Sequence, residues 1–282
     1  MTRPYLPVEL LDYILDFLHD ARDAIESCCL VSKSWIPRTR RILFADVAFD
    51  SPEKLQSWKN AFPDPSTSPA WHTRSLFINL PQAIAAVDAE EGGWITTFSR
   101  IVHLKVDTWD ATVDYLIGLI PLHAFSPIVK SLHVVFPFIH SSRIFDLVLS
   151  FTSLKDFSAI SHGSLAFHSD VFDRQSILAQ PSSQLAFTGS LTLLVRRGMD
   201  PIAFPLLILQ GGLRFRRLQL TCYHVGDVSL ATKLVGRCCS TLEGLEVECH
   251  PPCTSVPYSL APIVDPRLQV THRQFQLTSP KR

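Results

Sequence analysis

The sequences IVHLKV at Ile101–Val106 and VKSLHV at Val129–Val134 share one pattern: apolar, two spacers, apolar, one spacer, apolar. Such alternation is typical of a short β-strand with one buried face. Along the chain the pattern is complete five times and partial three times. The middle apolar position of the pattern serves as a marker for each copy. The markers are Leu76, Leu104, Leu132, Phe157, Leu191, Leu218, Leu245 and Phe275.

Helical segments are predicted between these strands, including 110–120, 142–151 and 227–239. A strand and a helix that alternate along the chain predict a parallel sheet with helices covering one side. A doubly wound sheet is the alternative. It would show glycine-rich turns after its strands, and none of the 11 glycines forms a phosphate-binding pattern.

The repeat of about 28 residues resembles the leucine-rich repeat, which implies a curved solenoid. The resemblance is to a degenerate form, because the Asn or Cys that the family has five residues after each marker is missing. Those positions hold Pro81, Trp109, Pro137, His162, Arg196, Tyr223, His250 and Pro280. The longest interval between markers indicates an insertion at 164–184, and no capping helix is expected after the last strand.

An amphipathic unit precedes the array. It opens with Leu6-Pro7-Val8-Glu9-Leu10 and closes with Leu30-Val31-Ser32-Lys33-Ser34-Trp35. Proline at position 7 suits the first turn of a helix, and two further short helices are predicted after it. The buried face of the first helix is predicted from apolar residues spaced three and four apart: Leu11, Ile14, Leu15 and Leu18. Three helices in roughly 40 residues form a core too small to be secure alone.

Residues 5–45 resemble an F-box, and the whole chain is similar to F-box-like proteins of mushroom-forming fungi. The resemblance implies docking on the Skp-type adaptor of a cullin-RING ubiquitin ligase (an SCF complex). By motif, the adaptor-binding residues would be Leu6, Pro7, Leu10, Ile14, Leu18, Val31 and Trp35. The alternative is that most of these residues only hold the three helices together.

Three regions are predicted: an F-box-like helical module at 1–48, a linker at 49–70 and a leucine-rich-repeat-like solenoid at 71–282. Ser51-Pro52-Glu53 carries a cap, a helix-starting proline and an acid, so a short helix should follow it. Pro63, Pro65 and Pro69 then interrupt regular structure.

Target binding is predicted on the sheet face that points away from the helices, and on the loops after the strands. The candidate residues are Phe77, Lys105, Asp107, Trp109, His133, Gln219, Tyr223, Glu246 and Glu248. Two alternatives are open: the face is simply solvated, and Trp109 and Tyr223 cover the end of the core.

Composition narrows the possible functions. Lys plus Arg equals Asp plus Glu at 26 each, which disfavours a nucleic-acid partner or an anionic membrane surface. No uninterrupted apolar stretch reaches spanning length, so a soluble, intracellular protein of the cytoplasm or nucleus is expected. The odd number of seven cysteines argues against a disulfide framework.

Catalytic and metal-binding motifs are not found. Gly-x-Ser-x-Gly and His-Glu-x-x-His do not occur. The ligand-like cluster Cys222, His224, Cys249, His250 and Cys253 lacks the usual Cys-x2-Cys pairs. We therefore expect no metal, no cofactor and no enzyme activity, but a substrate receptor that presents an unknown target protein to the ligase. The alternative is a stand-alone repeat scaffold with a vestigial F-box.

Overall fold

A computed structural model of the chain describes residues 7–79, 97–107, 127–136, 148, 151–161, 187–196, 198–208, 213–250 and 269–274. Its main feature is a parallel sheet in which each strand pairs with the next along the chain. Within the described residues the strands are β1 (Asp46–Phe49), β2 (Ser75–Asn79), β3 (His103–Asp107), β4 (Ser131–Phe136), β5 (Asp156–Ser161), β6 (Ser190–Val195), β7 (Arg217–Cys222), β8 (Gly244–Cys249) and β9 (Gln269–Gln274).

The register of the sheet follows the predicted markers. Leu76 pairs with Leu104, Leu104 with Leu132, and this continues through Phe157, Leu191 and Leu218 to Leu245. All seven of these marker side chains are buried. The prediction of a parallel sheet with helices is therefore confirmed.

The prediction is wrong for the last strand. β9 ends at Gln274, and Val270, not Phe275, pairs with Leu245. The physical reason is composition: the strand QVTHRQ has a single apolar residue, so an apolar pattern cannot locate it. The apolar pair Phe275 and Leu277 lies outside the described residues.

The sheet also begins earlier than expected. β1 pairs with β2 through Val47 and Leu76, and the N–H groups of Arg74 and Ser75 both donate to the carbonyl of Ala45. The array is predicted to start at residue 71, after the proline-rich link, so β1 lies before the predicted boundary. Segment 49–70, predicted as a linker, instead connects two paired strands.

A helix lies within this connection, as its capping signal predicts. It is α4 (Pro52–Ala61), and the hydroxyl of Ser51 accepts a hydrogen bond from the N–H of Lys54. Leu55 is buried in the core of the sheet, and the Trp58 ring meets the Phe49 ring edge-on at 5.7 Å. The segment is therefore part of the folded core.

The other described helices over the sheet are α5 (Asp200–Ile208) and α6 (Val225–Cys238). α6 confirms the helix predicted at 227–239, whereas the segments at 110–120 and 142–151 lie almost entirely outside the described residues. Buried residues of α4, α5 and α6 share one continuous core with alternate residues of β1 to β8. The strand residues between them point to the opposite side of the sheet, which we call the open face.

A buried carboxylate ties α6 to its neighbours. Asp227 is 1% exposed and accepts hydrogen bonds from the N–H groups of Met199, Tyr223 and His224 at 2.8 to 3.0 Å. Gly198 adopts a φ of 109° just before Met199, a conformation that favours glycine. One side chain thereby fixes the start of α6 and the turn after β6.

A second carboxylate sets the register between β5 and β6. Asp156 accepts hydrogen bonds from the N–H of Ser190 at 2.7 Å and from its hydroxyl at 2.8 Å. A Cβ at residue 189 would lie 2.2 Å from a carboxylate oxygen of Asp156, so the glycine there leaves room for this contact. This contact lies next to Phe157 and Leu191, the two markers that are separated by the longest interval in the chain.

The N-terminal helices are α1 (Val8–Phe17), α2 (Arg22–Val31) and α3 (Ile36–Leu43). They have a small core of their own, formed by Leu11, Leu15 and Ile25. Half-buried residues pack against it, and they are Leu18, Cys28, Trp35, Ile42 and Leu43.

Candidate functional site

Helix α1 has two apolar faces. Leu11 and Leu15 are buried in the small core, as predicted. On the adjoining face large apolar side chains are exposed, at spacings of three and four residues that place them on one side of a helix. We call this set the apolar stripe: Leu10 at 52% exposure, Tyr13 at 73%, Ile14 at 39% and Phe17 at 81%.

The end of α2 adds two more exposed apolar residues, Leu30 at 89% and Val31 at 67%. Across the described residues, eight large apolar side chains are exposed, and six of them belong to α1 and α2. Scattered exposed leucines are ordinary, but a concentration of this kind marks an interaction surface.

The predicted adaptor-binding residues divide into two groups. Pro7, Leu10, Ile14 and Val31 are exposed, so they are accessible to a partner. Leu18 and Trp35 are half-buried against the small core and contribute to the packing of the helices. Leu6 lies outside the described residues.

Sequence reasoning missed Tyr13, Phe17 and Leu30. A signal was present, because Leu10, Tyr13, Ile14 and Phe17 repeat at the same helical period as the buried residues. The periodicity of α1 thus indicates two apolar faces, of which only one can face the small core.

Polar contacts hold α1 against α3. The guanidinium of Arg38 pairs with Asp16 and, at 3.5 Å, with Asp12. The hydroxyl of Thr39 is buried, donates to a carbonyl of its own helix and accepts from the Sγ of Cys29 at 3.0 Å. The Arg38 pairs orient the helix that carries the apolar stripe, and the Cys29 contact ties α2 to α3.

The open face places five of the predicted target-binding residues in one row of the register. Phe77 pairs with Lys105 and Lys105 with His133, and Gln219 pairs with Glu246 further along. The ammonium group of Lys105 lies 4.9 Å from the centre of the Phe77 ring. Burial lowers the pKa of His133, the nearby charge of Lys105 lowers it further, and Asp107 opposes both effects.

A shallow groove of about 390 Å³ crosses the open face over β6, β7 and β8. A chain of hydrogen bonds runs along it: the hydroxyl of Thr192 donates to Gln219 at 3.4 Å, and Gln219 donates to Glu246 at 3.2 Å. Glycine at position 244 leaves the groove open beside Arg217. Polar side chains of this kind can pair with the backbone or side chains of a bound segment.

Of the target-binding residues predicted near the strand ends, Tyr223 and Glu248 lie in one cluster, and Asp107 lies far from it. The Tyr223 ring stacks on His250 at 4.4 Å, and His250 is 2.9 Å from a carboxylate oxygen of Glu248. Asp107 lies at the end of β3, five strands away from β8. Trp109 lies outside the described residues.

The ligand-like cysteines and histidines do not form a metal centre within the described residues, where no three such groups converge. Cys222 and Cys249 are buried register partners. The Nε2 atom of His224 lies 3.1 Å from the carbonyl of Arg196, and Cys253 is not described.

No protein-family model, curated protein or solved structure matches this chain. None of the helices in the described segments is long and apolar enough to cross a membrane.

Proposed function

We propose that this chain is a non-catalytic substrate receptor of a cullin-RING ubiquitin ligase. The N-terminal helices dock on a Skp-type adaptor, as their resemblance to an F-box implies. The strand–helix array, a solenoid of degenerate leucine-rich repeats, binds a target protein on its open face. Tethering would raise the effective concentration of the target near the ligase. The protein would accordingly act inside the cell.

The apolar stripe is the observation that carries this proposal. Burying one large apolar side chain contributes roughly 1.5–3 kcal/mol, so the four residues of the stripe supply a favourable surface for a partner. Leu10 and Ile14 belong both to the stripe and to the residues carried over from the F-box motif. Val31, which is 67% exposed, extends the surface to the end of α2.

The test mixes the purified chain with a Skp-type adaptor and follows complex formation by size exclusion. The principal variant is Tyr13→Glu with Phe17→Glu, since both side chains are more than 70% exposed and contribute little to the fold. A one-to-one complex is expected for the unmodified chain, and the variant should elute alone with an unchanged melting temperature. The Leu6→Ala, Pro7→Ala variant tests the motif in the same assay.

A matched control is Val225→Glu. Val225 is 50% exposed at the start of α6, so this change places a charge on another exposed apolar position, and it should leave the complex intact. Absence of a complex with the folded, unmodified chain would overturn the proposal. The chain would then be better described as a repeat scaffold with a vestigial F-box.

A further inference from the structure

A cluster of positive charge surrounds an exposed tryptophan where α3 meets the start of the sheet. We call it the basic patch, and its members are Arg40, Arg41, Trp71, His72, Arg74 and Arg100. Arg40 and Arg41 are in the last turn of α3, while Arg74 and Arg100 precede β2 and β3. The patch shares no residue with the apolar stripe on α1.

Trp71 is at the centre of this patch and is 47% exposed. Its ring lies 3.6 Å from the His72 ring, and the guanidinium carbon of Arg100 lies 5.5 Å from its centre. A guanidinium over an indole is attracted to the face of the ring, and Arg100 is also exposed to solvent. The remaining exposed part of Trp71 offers an apolar contact.

The positive charge of the patch is not balanced by acids in the described parts of the chain. All four arginines are exposed, and none of them has an ion-pair partner there. Burial lowers the pKa of His72, and Arg41, Arg100 and Arg40 lower it further. These three arginines are therefore close enough to act on one imidazole.

The basic character continues along the edge where the strands begin. The backbone ladder at this edge joins Arg74, Val102, Lys130 and Lys155 in succession. Both lysines are exposed. From Arg74 to Lys155 the edge crosses three strand spacings, about 14 Å, which is the length of roughly four extended residues. Further along, Arg216 is paired with Glu243 at 3.4 Å.

We propose that the basic patch binds a short acidic segment of a partner protein, with carboxylates on the arginines and an apolar or aromatic side chain against Trp71. Guanidinium groups form strong, directional pairs with carboxylates. A nucleic acid fits less well, because the patch offers one exposed ring and the chain has no net charge. The proposal does not depend on adaptor docking.

The test measures fluorescence anisotropy of a labelled peptide, Glu-Glu-Phe-Glu-Glu, with the full chain at low salt. Binding is expected, and it should weaken as salt rises, because the contacts are between exposed charges. The lysine counterpart, Lys-Lys-Phe-Lys-Lys, should not bind. Since the assay contains no adaptor, its result is independent of the proposed ligase function.

Two double variants decide whether the patch is responsible. Arg41→Gln with Arg100→Gln should weaken binding of the acidic peptide about tenfold or more. The control, Lys233→Gln with Arg237→Gln, removes the same charge from exposed positions of α6, and Arg237, like Arg41, is in the last turn of its helix. It should leave the affinity unchanged. Trp71→Ala should weaken binding without altering its dependence on salt.

Three results would overturn the proposal. The first is no binding of the acidic peptide by the folded chain. The second is an equal loss of affinity in both double variants, which would mean nonspecific attraction. The third is tighter binding of a short single-stranded oligonucleotide than of the peptide at the same salt concentration.

Discussion

The N-terminal helices and the sheet bury their apolar residues in different ways. In the sheet, each strand covers its neighbours, and the core runs without interruption from Val47 to Cys249. In α1 to α3, three large apolar residues are buried, while six are exposed. Within the described residues no large apolar side chain of β1 to β8 is exposed, whereas the helices have an apolar surface that a partner can complete.

Equivalent substitutions in the two regions should differ most in their cost to stability. Phe157 is 1% exposed in β5, and Phe17 is 81% exposed at the end of α1. Phe157→Ala should lower the free energy of unfolding by about 3–5 kcal/mol, because it opens a cavity. Phe17→Ala should change it by less than about 0.5 kcal/mol. Urea unfolding measures both, and equal costs would mean that Phe17 is packed in solution.

Two aspartates near helix starts extend the comparison to polar groups. Asp227 accepts three backbone N–H bonds in a buried site, while Asp23 is exposed in the first turn of α2. Asp227→Ala should cost about 2–3 kcal/mol, since it leaves buried donors without a partner. Asp23→Ala loses only an interaction with the helix dipole, about 0.5 kcal/mol. Thermal unfolding of the two variants checks the difference.

Adjacent cysteines provide a chemical comparison. Burial raises the pKa of the Cys238 thiol to about 11, while Cys239 is exposed. In the N-terminal helices, Cys28 and Cys29 are both partly buried. Because the thiolate is the reactive form, Cys239 should react with iodoacetamide at neutral pH about tenfold or more faster than Cys238. Peptide mass spectrometry measures both rates, and similar rates would show that α6 opens readily.

The smallest predicted effect concerns the pKa of His133 on the open face. The pKa of His133 lies below its ordinary value of 6.5, chiefly because the ring is partly buried and secondly because of Lys105. A pKa lowered by folding means that stability falls as the pH drops through 6.5 toward the folded-state value, since the unfolded chain binds the proton first.

Lys105→Met removes only the second of these causes. The pKa of His133 should therefore rise slightly and stay below the ordinary value, as an NMR titration would show. A rise to the ordinary value would mean that burial is not the main cause.

The sheet was largely predictable from sequence, because alternation of apolar residues follows directly from the geometry of a half-buried strand. Seven markers fall in one register row. Prediction fails at the two ends: β1 is too short to stand out from the preceding helices, and β9 lacks apolar alternation. At these positions pairing with the neighbouring strand, which is not visible in a local pattern, determines the structure.

The candidate sites were less predictable. Leu10 and Ile14 follow from the motif, but Tyr13 and Phe17 share the helical period of buried residues, and a period alone does not say which face is covered. The basic patch combines residues from α3, from the segment before β2 and from the segment before β3. Side chains so far apart in sequence converge only when the sheet pairs, so no local pattern could indicate them.

The contact between Asp156 and Ser190 has a consequence for evolution and engineering. The carboxylate of Asp156, the first residue of β5, holds Ser190, the first residue of β6, and so fixes the alignment of the two strands whatever the length of chain that joins them. Insertions or deletions between 162 and 186 should therefore leave the alignment unchanged. An engineered connection between β5 and β6 should therefore keep Asp156, Gly189 and Ser190 as its fixed points.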